Sequence, residues 1–163
     1  PGIYEAPGEW GNLPEGELFT SPETSNGVIV ADVLGDYFSE KYGLLDSPAV
    51  FRVVESRVVA VSCDNKAIEA DLKSYLFGAE NGDRVGEFAI GTNIGVTRLV
   101  GNLLQDEKFP GIHVAFGDPY PDETGADWRA DSHLDVVPVG CTIYVDGEEI
   151  MREGRFAAWI TAA

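Results

Sequence analysis

Residues 111–135, GIHVAFGDPYPDETGADWRADSHLD, contain both histidines of the chain, His113 and His133, with Asp135 two positions past the second. His113 opens an apolar run that reads as a strand ending in a turn at Gly117, and His133-Leu134-Asp135 reads as the start of another. Residues i and i+2 of a strand share a face, so His133 and Asp135 converge on one point. Imidazole and carboxylate together are a ligand set for zinc, cobalt, manganese or ferrous iron. The competing reading is a pair of surface or hydrogen-bonded histidines. Between the two strands lie Asp118, Asp122, Glu123, Asp127 and Asp131, without the acid spacing or central glycine of a calcium loop. They read as an exposed segment forming a wall of an active site.

Downstream, Asp146-Gly147 separates two β-prone runs, Thr142–Val145 and Glu148–Met151, the strongest hairpin signal in the chain, and Gly154-Arg155-Phe156 starts a final strand. Upstream, Val85–Asn93 is an apolar strand with Glu87 inside it. A buried carboxylate is costly unless paired, so Glu87 calls for a metal ion or a core salt bridge with Arg84 or Arg98. Val96–Leu104 reads as a short helix or an ordered loop, and Asp106-Glu107-Lys108 as a solvated turn. Ile68, Leu72, Tyr75 and Leu76 share a helical stripe that Asp64 or Asn65 can cap and Gly78 can close. Val50–Val54 and Val58–Val61 form a second hairpin, and Gly27–Leu34 reads as one buried strand. Residues 35–45 fit a helix or a loop. Glu15–Glu23 reads as a short strand running into a Ser-Pro turn, with Glu17, Phe19 and Ser21 on one face; Glu17 is a metal ligand or an ordinary solvated glutamate. The fold class is therefore α+β: a mixed β-sheet with hairpins and a few helices. Residues 1–14 read as an irregular arm or former linker and residues 15–163 as the metal-binding domain.

The 163 residues suit one domain with a real core, and the apolar fraction of 44% describes a globular chain. No apolar run is long enough to span a bilayer and no leader pattern is present. The chain begins at Pro1 without an initiator methionine, which reads as a piece of something longer. Asp and Glu number 28 against 11 Lys and Arg, for a formal charge of −17. That field repels nucleic acid and anionic membranes, and fits a salt-adapted surface or a cation-binding site. Cys63 and Cys141 make no disulfide framework and no asparagine opens a glycosylation sequon, so a reducing, cytoplasmic setting is expected. A phosphate-cradling glycine loop and a Gly-x-Ser-x-Gly elbow are both missing. Each histidine has a better-placed carboxylate than nucleophile, so nucleophilic serine or cysteine catalysis has no support.

Several blocks, in order, resemble the thermophilic aminopeptidase family of metallopeptidases, of the aminopeptidase T and aminopeptidase S type. They are residues 12–22 (NLPEGELFTSP), 86–93 (GEFAIGTN), 106–108 (DEK), 113–117 (HVAFG) with Tyr120, and 133–135 (HLD). The resemblance covers most of the chain, and its specificity lies in the joint order of the blocks. It implies five metal-binding positions at Glu17, Glu87, His113, His133 and Asp135, an active-site tyrosine at Tyr120, and a catalytic role for Glu87. Tyr120 is otherwise a packing residue in a Pro-flanked turn. Family members join this C-terminal catalytic domain to an N-terminal α/β domain and form dimers that enclose the active sites. The partners so implied are a peptide with a free N-terminus, the N-terminal domain of the same protein and a second copy of the chain. In this sequence the loop between the histidines is shorter, and Val136 follows His-x-Asp where a tryptophan is common.

Three carboxylates and two imidazoles suit a pair of divalent ions, Zn, Co, Mn or Mg, that activate water and polarise a scissile carbonyl. The expected activity is that of a metal-dependent aminopeptidase. A second expectation uses His113, His133 and Asp135 alone as a facial triad for one Fe(II), as in ring-cleaving dioxygenases of the dihydroxypyridine type, which look like relatives of the same fold. A third is a metal-binding domain that is inactive without its N-terminal partner domain.

Overall fold

Tight turns fix the pairing of the two hairpins, and long connections bring the remaining strands together. The computed structural model describes residues 5–8, 11, 12 and 14–161, the side chain of Asp36 excepted. In chain order the elements are β1 (Glu17–Thr20), β2 (Gly27–Ala31), β3 (Val33–Leu34), α1 (Asp36–Tyr42), β4 (Ala49–Val54), β5 (Arg57–Ser62), α2 (Lys66–Gly78) and β6 (Val85–Gly91). There follow α3 (Leu103–Asp106), β7 (Gly111–Gly117), α4 (Pro121–Thr124), β8 (His133–Val137), β9 (Ile143–Val145), β10 (Glu148–Arg152), β11 (Arg155–Phe156) and α5 (Ala158–Thr161). Both expected hairpins turn on two residues with positive φ, Glu55 and Ser56 (49° and 61°) and Asp146 and Gly147 (51° and 85°), the backbone twist that matches paired strands. α2 is capped by Asn65, whose side chain accepts from the amides of Ala67 and Ile68, and it closes at Gly78.

The strands form a five-stranded sheet in the order β1-β6-β7-β8-β3 and two three-stranded sheets, β2-β4-β5 and β11-β10-β9. The expected α+β class, with sheets, hairpins and a few helices, holds, and the described strand pairs are antiparallel. One face of the large sheet, with Val114, Phe116, Leu134 and Val136, packs on Phe51, Phe38 and the Leu72–Leu76 stripe of α2. The Phe51 and Phe116 rings lie 5.2 Å apart at the join between sheets. This core gives the large sheet a fixed backbone, and its opposite face carries the candidate site.

Three expectations need correction. Gly27–Leu34 is two strands in two sheets: β2 pairs with β4, then the chain crosses at Asp32, whose amide reaches the Val137 carbonyl, and β3 joins β8. Val28 and Val30 lie on the uncovered face of their sheet, opposite Arg52 and Val50 of β4, and remain 63% and 46% exposed. The turn at 106–108 is buried: the Asp106 carboxylate accepts from the amides of Val100 and Gly101, and Lys108 is fully enclosed. Glu87 forms no core salt bridge with Arg84 or Arg98; Arg84 lies 4.0 Å over the Trp128 ring, and the described ion pairs of Glu87 are with imidazoles. Residues 96–102 form loop, with helix starting only at Leu103. Of the expected arm, residues 5–8, 11, 12 and 14 lie in no strand or helix, and 1–4, 9, 10 and 13 are outside the described residues. No helix among the described residues is long and apolar enough to cross a membrane.

Candidate metal centre

Strand register explains why five distant residues meet. Across β6, β7 and β8, Glu87 stands opposite Ala115 and Ala115 opposite Asp135; two residues to one side Ala89 stands opposite His113, and two residues to the other side Gly117 stands opposite His133. Charged and imidazole side chains thus alternate with alanine or glycine on one face, leaving room above the sheet. Val85 and Glu87 would share a face in a regular strand. The register shift between them turns Val85 into the core and Glu87 to the other side, as bulges beside functional sites do. On the edge strand, Glu17 stands opposite Gly91 and joins the same face.

His113 Nε2 lies 3.3 Å from Glu87 Oε1, 3.4 Å from Glu17 Oε2 and 4.0 Å from Asp135 Oδ1. His133 Nε2 lies 3.3 Å from Asp135 Oδ2 and 3.8 Å from Glu87 Oε2. Glu87 and Asp135 therefore each present one oxygen to each imidazole. Glu87, His113 and Asp135 are all buried and offer ligand atoms within 4.8 Å of one another; Glu17, Glu107 and His113 form a second such group.

The surroundings orient these groups. His133 Nδ1 lies 2.9 Å from the Asp118 carbonyl, so Nδ1 donates there and Nε2 is the nitrogen turned toward the carboxylates. The Tyr75 hydroxyl, from the core stripe of α2, donates to the His133 carbonyl at 3.1 Å. His113 Nδ1 is buried without a hydrogen-bond partner among the described residues, so its ring is oriented through Nε2 and packing. Burial pulls the His133 pKa down, but Asp135, the Asp118 carbonyl and Glu87 outweigh it and hold the value at about 9. His113 behaves alike: burial lowers its pKa, and Glu87, Asp135 and Glu17 raise it overall. Burial pushes the Glu107 carboxyl up against the opposing pull of Lys108.

The donor set fits a divalent cation. Glu87 and Asp135 are buried, and their described ion-pair partners are imidazoles, which a metal ion would replace as the source of positive charge. An open cleft of about 430 Å³ leads to them, walled by Phe19, Leu103, Leu104, Tyr120 and Glu123. Tyr120 is 41% exposed, its ring 4.6 Å from that of His133, with φ 49° just ahead of α4. Positive φ on a tyrosine is a strained conformation that tends to persist at functional sites. The acidic segment between the histidines is tied back by Arg84 on Trp128 and by the Asn81 side chain donating to the Arg129 carbonyl.

Sequence reasoning overlooked Glu107, Lys108 and Tyr75. A charge run reads as solvated, and nothing local signals that Lys108 meets Glu17, 91 positions away. Tyr75 was legible only as a core residue.

The chain matches no protein-family model and no curated protein. Among solved structures it is similar to wild-type AmpT from Thermus thermophilus, with a TM-score of 0.68 and 24% identity over 90% of this chain and 40% of that one. It is also similar to 2,5-dihydroxypyridine dioxygenase from Pseudomonas putida KT2440, with a TM-score of 0.64 and 16% identity over 86% of this chain and 43% of that one. These likenesses show the fold, which the chain shares with parts of both structures while spanning less than half the length of either.

Proposed function

We propose that the chain is the catalytic region of a metal-dependent aminopeptidase, with Glu17, Glu87, His113, His133 and Asp135 holding two divalent ions. The observation that carries this reading is the division of Glu87, one oxygen toward each imidazole, together with Glu17, whose Oε2 lies 3.4 Å from the same His113 nitrogen that Glu87 faces. A carboxylate shared in this way suits a pair of ions better than one. The fold likeness to AmpT supports the same reading.

When bound, the ions supply Lewis acidity toward the scissile carbonyl and an activated water. For the proton relay one Glu87 oxygen would have to leave its ion; it would then take the proton of the attacking water and pass it to the leaving amine nitrogen, so that the peptide bond is replaced by a carboxylate and a free amine. Tyr120, on the cleft wall, donates its hydroxyl proton in a hydrogen bond to the oxyanion. Glu107 and Glu123 keep the cleft acidic and draw in the α-ammonium of a free N-terminus, while Phe19, Leu103 and Leu104 give the adjoining side chain apolar walls. An N-terminal domain of the same protein and a second copy of the chain complete the enclosure in this reading. A cytoplasmic setting belongs to it too, with Cys63 and Cys141 both free.

The deciding experiment is metal analysis of stripped and reloaded protein, with hydrolysis of aminoacyl chromogenic substrates by the full-length enzyme. About two ions per chain are expected, with fewer in Glu17→Ala and Glu87→Ala. One ion, unaffected by either change, would overturn the proposal. Likeness to the dioxygenase, and the His113, His133 and Asp135 subset, favour one alternative: oxygen uptake with a dihydroxylated aromatic ring, dependent on Fe(II), identifies it.

A further inference from the structure

Among the described residues Lys108 is the only lysine or arginine of the largest fully buried side chains, and its ammonium lies between two carboxylates, Glu17 Oε1 and Glu107 Oε1. A lysine buried to this degree needs close anionic partners to remain charged. Burial lowers its pKa, and Glu107 and Glu17 more than reverse the effect, keeping the ammonium protonated. The consequence for Glu17 is geometric. Its Oε1 is held by Lys108, and its Oε2 is the oxygen facing His113 at 3.4 Å.

The backbone is built to deliver this contact. Gly91 stands opposite Glu17 across β1 and β6, and a methyl group on it would lie 2.1 Å from the Phe109 carbonyl oxygen and 2.8 Å from that of Glu107. The missing side chain lets the 107–109 segment cross directly over β6. The Lys108 carbonyl accepts from the Asn93 amide, and the Asn93 side chain donates to the Glu15 carbonyl, which ties the segment to the start of β1.

We propose that Lys108 is a positioning residue for the metal centre: clamped by Glu107, it holds one oxygen of Glu17 and thereby fixes the other toward His113 as a single-oxygen ligand. The inference rests on the metal-centre reading above. It also predicts a sign that charge alone would reverse. Removing a nearby positive charge should tighten cation binding, whereas removing a positioning group should weaken it.

The test is titration of the metal-stripped chain with Co(II), followed by calorimetry and visible absorption, for wild type, Lys108→Met, Glu107→Gln, Glu17→Gln and the double variants Lys108→Met/Glu17→Gln and Glu107→Gln/Glu17→Gln. Lys108→Met is expected to lose about 10-fold to 100-fold in affinity for one ion, the usual range for a residue supporting a ligand. Because Lys108 acts through Glu17, Lys108→Met/Glu17→Gln should bind no more weakly than Glu17→Gln alone. Unchanged or tighter binding by Lys108→Met, or losses that add fully in its double variant, would overturn the proposal. If Lys108→Met does not fold, Glu107→Gln decides: it keeps the lysine but loosens one anchor, so a loss that disappears in the Glu17→Gln background is expected, and unchanged affinity overturns the inference. Absence of Co(II) binding by wild type, or identical binding by wild type and Glu17→Gln, would instead bring down the metal-centre reading itself.

Discussion

Glu87 and Asp135 flank Ala115 on neighbouring strands, and their carboxylates meet the same two imidazoles above its methyl group. Neighbouring strands are about 4.8 Å apart, so acids two strands apart can reach one point only if the residue between them is small. The size of residue 115 is therefore as much a part of the site as its charges.

Replacing Ala115 with valine places two extra methyl groups on the floor of the site. Ala115 is fully buried, so overpacking is expected to cost about 1–3 kcal/mol. Bound metal should fall well below the wild-type level in protein that still melts cooperatively. Metal analysis beside a thermal melt checks this, and wild-type metal content would contradict the role given to residue 115.

Gly117 makes a similar point for His133, its partner across β7 and β8. Its φ is 106°, and an added methyl would lie 1.9 Å from the Ser132 carbonyl oxygen. Gly117→Ala must move the backbone that presents both the Asp118 carbonyl and His133. A destabilisation of at least about 1–3 kcal/mol is expected in denaturant titration.

The parts of this fold that could be read from sequence are those set by neighbours along the chain. The Asp146-Gly147 turn, the Asn65-capped helix and the alternation of His133 with Asp135 all depend on local φ/ψ preference or on side-chain period. Glu87 was conspicuous because a carboxylate in an apolar strand demands a partner, although the sequence left open whether that partner was an ion or an arginine. What could not be read depends on contacts distant in sequence. The division of residues 27–34 between two sheets follows from pairing with β4 and β8, and the burial of Lys108 follows from Glu17. The resemblance that tied Glu17 and Tyr120 to one site supplied order along the chain; strand register brings Glu17 onto the face that carries His113, and the segment after β7 sets the Tyr120 ring beside His133.

Tyr75→Phe tests the support of the site from the core side. The change removes the hydroxyl that donates to the His133 carbonyl and keeps the ring that packs against Phe38. A stability loss of about 0.5–1.5 kcal/mol is expected from one hydrogen bond. A drop in metal affinity should accompany it, because His133 loses an anchor. Equal Co(II) affinity in the variant and the wild type would confine Tyr75 to packing.

Acid titration isolates a different carboxylate. Lys66, Lys73 and the Cys63 amide hold Glu69 down at about 2. A depressed folded-state pKa adds stability above the unfolded value of about 4.3 and loses it as pH falls toward the folded value. The melting temperature of wild type should therefore fall relative to Glu69→Gln between about pH 4.5 and 2. Parallel curves through that window would show that the lysine contacts do not persist in solution.

Tyr120→Phe separates binding the metal from using it. The Tyr120 ring packs beside those of His133 and Phe19, and phenylalanine preserves those contacts. Metal content and melting temperature should therefore change little. The hydroxyl is proposed to act only when charge develops on the substrate oxygen, so its removal should lower kcat and leave KM nearly unchanged. Loss of one oxyanion donor typically costs about 10²–10³ in kcat. Steady-state kinetics of full-length enzyme on an aminoacyl anilide give this split directly. A rise in KM at constant kcat would make Tyr120 a wall of the cleft rather than a donor, while a parallel loss of metal would make it a support for His133.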